Sequence, residues 1–229
     1  MPTLLFLHGW GGNADSFAPI SQYFARATDT AGESYQVLTP SLSCPPSTIY
    51  TLDDYANDID AFLQAQQVTR CIVIAHSFGA RLVAILQARH PRLFTKIIIT
   101  GGAGLKPRWQ PWLWLKIRWY KLLRRLGLKM QGGSADYRRL DDNGKKTFQN
   151  IINRDLTFEV QQITAPTLLV WGARDRATPI SQMRRWCRLV PQAQIIIYQR
   201  AGHFAYLTEA SRFIHDVTRF IRGTDDTDK

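Results

Sequence analysis

The sequence predicts a doubly wound α/β domain, and three observations predict it. Short β-branched runs alternate with longer amphipathic segments along most of the chain. Several of those runs (IVI, KIIIT, TLLV) are apolar without interruption, as strands are when both faces of a parallel sheet are covered. The 229 residues fit one domain with a modest insertion, and 45% hydrophobic with 11% aromatic content supplies a core, which excludes a disordered chain.

The first element is TLLFL, Thr3–Leu7, whose apolar run stops at His8-Gly9 and therefore reads as a strand rather than a signal peptide. Further strands are expected at Gln36–Thr39, Arg70–Ala75, Lys96–Thr100, Thr167–Trp171 and Gln194–Tyr198. The helical period places helices at Asp15–Ala27, Leu52–Gln66, Phe78–Arg89, Pro179–Leu189 and Tyr206–Ile221. From about Leu105 to about Gln162 the alternation stops, and a strandless stretch of that length is a lid or a partner surface. The expected organisation is a core of residues 1–104 and 163–229 carrying a helical cap, residues 105–162.

The formal net charge is +11, but it is concentrated: eight Lys/Arg and no acid lie between Leu105 and Ala135. Cys44, Cys71 and Cys187 have no metal-ligand spacing, and their odd number suits free thiols in a reducing compartment better than a disulfide framework. No run of 18 apolar residues exists. A soluble cytoplasmic protein is the expectation.

Chemistry concentrates at AHSFGA, Ala75 to Ala80, where Ser77 falls at the C-terminal end of the third strand, the end at which open α/β sheets place their sites. A sharp strand-to-helix turn there strains the central residue and demands small neighbours two places away, which Ala75 and Gly79 are. Alone, the pattern also suits a helix N-cap serine. A serine hydroxyl becomes a nucleophile only when a base takes its proton and a third group fixes that base. GARD after the fifth strand brings Asp175, and QRAGH after the sixth brings His203, both at the strand end that holds Ser77. The loop after the fourth strand, GGAGLKPR, holds no carboxylate. His90 and His215 belong to helices, and the side chain of His76 is expected to diverge from Ser77. HGWGG follows the first strand and can turn a backbone N–H toward the serine. Trp10 and Phe78 are the two expected oxyanion donors, each worth about 3 kcal/mol to a transition state. His8 is expected to be structural.

With these residues in place the chain resembles the α/β-hydrolase superfamily almost end to end. HGWGGNADSF, AHSFGA, PTLLVWGARDRATP and AGHF resemble its oxyanion, nucleophile, acid and histidine loops in the right order. Two departures stand out: Ala75 replaces the usual glycine, and the chain starts at the strand leading into the oxyanion loop, without the family's usual first two strands. The resemblance implies an α/β-hydrolase fold of about six mostly parallel strands with helices on both faces, the cap following the strand after the nucleophile helix. It implies a serine hydrolase, above all a carboxylesterase on small or medium acyl esters, using Ser77, Asp175 and His203 with no metal or organic cofactor. A serine nucleophile argues against the haloalkane dehalogenases, which use a carboxylate there. Alternatives are a C–C hydrolase of ring-cleavage products, an acyl-lipid hydrolase at a membrane surface, and a non-catalytic binding protein of the same fold.

Within the cap, PRWQPWLWLKIRWYKLLRRLGLK projects Trp112, Leu115, Trp119, Leu122, Leu123 and Leu126 on one helical face and Arg118, Lys121 and Arg125 on the other. Such a helix covers a site and lines its acyl pocket, or lies on anionic lipid, or docks an acidic carrier protein of the kind that small capped demethylating esterases act on. Nucleic acid is not expected, because no nucleic-acid module accompanies the charge. Beyond it, Gly132-Gly133 reads as a hinge before a further cap helix or two; Asp136 and Tyr137 either touch substrate or, the simpler account, start such a helix.

Overall fold

A computed structural model describes residues 1–44, 48–106 and 140–223. Among the described residues six strands form one sheet: β1 (Thr3–Leu7), β2 (Gln36–Leu38), β3 (Cys71–His76), β4 (Phe94–Thr100), β5 (Thr167–Gly172) and β6 (Gln194–Tyr198). Their order is β2-β1-β3-β4-β5-β6, and every neighbouring pair is parallel. All C-terminal strand ends therefore meet along one edge, with the order reversing between β1 and β3. β1, β3 and β5 are buried along their whole length, which explains their uninterrupted apolar sequence. The sheet's two edges are the three-residue β2 and the half-exposed β6; short edges limit pairing with other chains.

Helices cover both faces. On one side α2 (Leu52–Ala65), α3 (Phe78–Arg89) and α6 (Ile180–Leu189) enclose a core that includes Ile59, Leu82, Ile99, Trp171 and Trp186. On the other, α1 (Ala18–Arg26), α7 (Ala205–Thr208) and α8 (Ala210–Arg222) bury Phe17, Phe24, Phe213 and Val217 against Phe6 and Ile98. Two expected helices are divided. The stretch expected as Asp15–Ala27 opens with a 3-10 turn over Ala14–Phe17, capped by Asn13, before α1 begins with Pro19 in its first turn. The stretch expected as Tyr206–Ile221 breaks at Glu209, whose φ of −122° and ψ of 48° are not helical.

Between β4 and β5 lie α4 (Asp142–Asn153) and α5 (Thr157–Gln161). The tryptophan-rich basic helix, the Gly132-Gly133 hinge, Asp136 and Tyr137 lie outside the described residues. The return leg is tied to the core at several points. Buried Thr147 accepts the Tyr50 N–H at 2.9 Å. Arg81 of α3 donates to the Ile151 carbonyl at 2.9 Å, and fully buried Leu156 donates its amide to the Gly104 carbonyl at 3.0 Å. Arg154 pairs with Asp53 of α2 and, at 2.9 Å, with Glu159.

Candidate active site

The site is built from loops at the C-terminal strand ends. Ser77 joins β3 to α3 with φ 49° and ψ −102°, a conformation costly for any residue with a side chain. Its backbone is held at both ends: the N–H donates to the Thr100 carbonyl at 3.1 Å, and its carbonyl accepts from Ala80 and Ala103. Its hydroxyl makes no capping bond to α3, so the N-cap role does not explain the serine. The small neighbours have a direct cause. A Cβ on Gly79 would sit 2.3 Å from the Leu7 carbonyl oxygen, where helix and β1 touch.

Asp175 and His203, 28 residues apart in sequence, meet with Oδ2 at 2.8 Å from Nδ1. The Asp175 side chain is fully buried, and the His203 ring keeps about a fifth of its surface. Asp175 Oδ1 accepts the N–H groups of Ala177 and Thr178 at 2.9 and 2.8 Å. The Thr178 hydroxyl lies 2.8 Å from Oδ2 and 3.0 Å from the Gly101 carbonyl, tying the acid loop to the end of β4. Burial works to raise the Asp175 carboxyl, but the hydrogen bonds from His203 and from Thr178 prevail and hold it below its ordinary value. An ionised carboxylate on Nδ1 fixes the tautomer that leaves Nε2 as the free base of His203. The loops close this tightly because two positions lack side chains. A Cβ on Gly172 would strike the Gly202 carbonyl oxygen at 2.1 Å. One on Gly101, whose φ is +56°, would crowd His203 Nδ1 and Asp175 Oδ2 at 3.2 and 3.3 Å.

The HGWGG loop returns over the serine: a Cβ on Gly9 would stand 2.9 Å from His76 and 3.6 Å from the Ser77 Cβ. His8 is buried and anchors this loop. Its Nε2 accepts the Leu42 N–H at 2.9 Å, so its Nδ1 carries the proton and donates to the Gly9 carbonyl at 2.8 Å. Burial lowers its pKa, which keeps it neutral and structural. The Phe78 N–H opens α3 and so has no carbonyl ahead of it in the helix. The Trp10 N–H enters no hydrogen bond among the described residues.

Sequence reasoning missed what His76 does. Its side chain leaves Ser77, donates from Nδ1 to the Thr100 carbonyl at 3.0 Å, and packs against His203 and Tyr206. Burial first, then the neighbouring His203, push its pKa down to about 3. It was legible only as a histidine ending a strand, because its partner comes from the far end of the chain.

Beside the oxyanion loop opens a cleft of about 310 Å³ lined by Trp10, Leu42, Cys44, Tyr55, Leu140 and Thr147. The Trp10 ring forms its inner wall, set edge-on to Phe78 and Tyr55 and tilted on Phe148 of α4. The three cysteines are free, and among the described residues no group of three His, Cys, Asp or Glu is arranged to hold a metal. No described helix is long and apolar enough to cross a membrane.

Comparison with known proteins agrees with this architecture. A strigolactone esterase of Pisum sativum is 31% identical over 109 residues, covering 44% of this chain and 38% of its own. An esterase from Exiguobacterium antarcticum superposes with a TM-score of 0.75 at 18% identity, over 97% of this chain and 92% of its own. A bacterial membrane phospholipase A superposes with a TM-score of 0.74 at 22% identity, over 97% and 79%. A family model described as the alpha/beta hydrolase family matches residues 4–216. Because that match runs from the first strand into the last helix and takes in every loop of the site, the chain belongs to the alpha/beta hydrolase family.

Proposed function

We propose that the protein is a serine esterase that cleaves carboxylic esters of small or medium acyl chains through an acyl-enzyme on Ser77. The observation that carries this is the buried Asp175–His203 pair, at the same strand ends as Ser77, whose hydroxyl makes no capping bond to α3. In the reaction, Nε2 of His203 takes the Ser77 proton as Oγ attacks the ester carbonyl carbon. Asp175 holds the imidazole and balances the imidazolium that forms. The N–H groups of Trp10 and Phe78 receive the charge that develops on the carbonyl oxygen. His203 then returns its proton to the departing alkoxide, and the acyl group remains on Ser77. Water, deprotonated by His203, attacks the acyl carbon and releases the acid and the free serine. The cleft walled by Trp10, Leu42 and Tyr55 adjoins the oxyanion loop and is sized for a short acyl chain. The esterases among the similar proteins support the same class of reaction.

Intact-mass labelling with a fluorophosphonate tests this directly, on wild type and on Ser77→Ala. One adduct, mapped to the peptide carrying Ser77 and absent from the variant, is expected, with turnover of short p-nitrophenyl esters. A folded wild-type protein that takes no label and turns over no ester in a chain-length panel would overturn the proposal in favour of a binding role.

A further inference from the structure

A second cavity, of about 730 Å³, opens between the acid loop with α6 on one side and the return leg of the insertion on the other. Six cations line it: Arg81 from α3, Lys106 after β4, Arg154 between α4 and α5, Arg176 in the acid loop, and Arg185 and Arg188 on α6. Among the described residues no acid lines it. Arg154 is spent on Asp53 and Glu159. Arg81 donates to the carbonyls of Ile151 and Arg154, and Arg188 to the carbonyl of Arg184. A neighbouring acid is Asp155, which faces Arg81 and Arg185 while its Oδ1 accepts from the Thr157 N–H and hydroxyl and from the Lys106 N–H. One carboxylate is thus set against several guanidinium and ammonium groups. A cluster of like charges around a cleft is unfavourable, and an anion in the cavity relieves it.

We propose that this cavity binds the phosphoryl or diphosphoryl group of a small organic anion. A carboxylate is planar and is satisfied by one guanidinium fork. Cations on several walls suit the tetrahedral array of oxygens on phosphate, and the volume falls within the range of small-molecule sites. Thr178 lines the same cavity while its hydroxyl touches Asp175, so the occupant lies next to the acid loop. Its use in recognising a phosphorylated ester rests on the esterase proposal; the binding itself does not.

Isothermal titration of the full chain with pyrophosphate, and with inorganic phosphate, tests the site. Saturable one-to-one binding of pyrophosphate is expected, weakened about tenfold or more by Arg176→Gln combined with Arg185→Gln. A control with the same loss of charge, Arg26→Gln with Arg70→Gln at the other end of the sheet, is expected to bind as wild type does. Arg176 is exposed, so Arg176→Gln alone carries the test, with about threefold weakening, if the double variant does not fold. The absence of saturable binding, or equal weakening in the control, overturns the proposal. Fluorophosphonate labelling of Ser77 reports on the esterase proposal separately.

Discussion

The imidazoles of His76 and His203 pack against each other with ring centroids 4.6 Å apart and planes inclined by 53°. Two charged imidazoles at that separation would repel strongly, so the imidazolium that the proposed mechanism forms on His203 requires its neighbour to stay neutral. Burial, reinforced by the neighbouring His203, keeps His76 in that state and outweighs the bond to the Thr100 carbonyl, which favours the charged form.

This makes His76 a source of acid instability. In the unfolded chain it takes a proton below about pH 6.5, whereas in the fold it stays neutral until about pH 3. Its contribution to stability is therefore complete above pH 6.5 and is lost as pH falls through that window, with a slope of about 1.4 kcal/mol per pH unit for one proton. His8, lowered by burial, acts in the same direction. Urea unfolding of His76→Gln between pH 4 and 7 is expected to give a shallower dependence than wild type; an unchanged slope would show that His76 titrates freely.

Asp175 has the opposite chemistry and the same sign. Its carboxyl is held below the ordinary value, so the stability it contributes is present above about pH 4 and disappears as pH falls through the folded value. Asp175→Asn keeps the shape but presents an amide to Nδ1 and loses the tautomer control; kcat is expected to fall about 10³–10⁴-fold with little change in KM. Thr178→Val is the milder companion. It deletes the hydroxyl shared by Asp175 and the Gly101 carbonyl, and a stability loss of about 1–3 kcal/mol is expected in thermal unfolding, with a smaller fall in kcat.

Gly101→Ala tests the packing of the pair from behind. The new methyl group would crowd both Nδ1 and Oδ2 at a position whose φ of +56° already disfavours alanine. A loss of about 1–3 kcal/mol in stability is expected. The fall in kcat should exceed what partial unfolding explains, which a comparison of folded fraction by circular dichroism with kcat on one preparation checks.

Ser77→Gly and Ser77→Ala should both lose activity and yet differ in stability. Glycine relieves the strained φ of 49° and ψ of −102°, whereas alanine inherits it. The glycine variant is expected to exceed the alanine variant by about 1 kcal/mol in chemical denaturation. Equal midpoints would mean that the turn stores no strain.

The strands and the order of the site loops were legible because uninterrupted apolar runs and turn residues are local signals. β1, α3 and β6 begin and end where the pattern places them. Less local features were hidden. Nothing in YLTEASRF announces the break at Glu209, since no glycine or proline marks it. The loop GGAGLKPR holds no carboxylate, yet its Gly101 matters for the space it leaves to Asp175 and His203. His76 and the cation-lined cavity depend likewise on residues far apart in the chain, for which no periodicity exists.

Arg154, Thr147 and Leu156 fasten α4 and α5 to a core that already holds Ser77, Asp175 and His203 on its own strand ends. Among the described residues, none of the bonds that cross that seam involves the three residues themselves. A lineage can therefore rewrite the wall of the cleft, residues 140–161, while the inherited chemistry stays in register behind it. Diversification of this protein is expected to proceed by exchange of that wall, with Asp53 and Arg81 as the fixed sockets into which each replacement must plug.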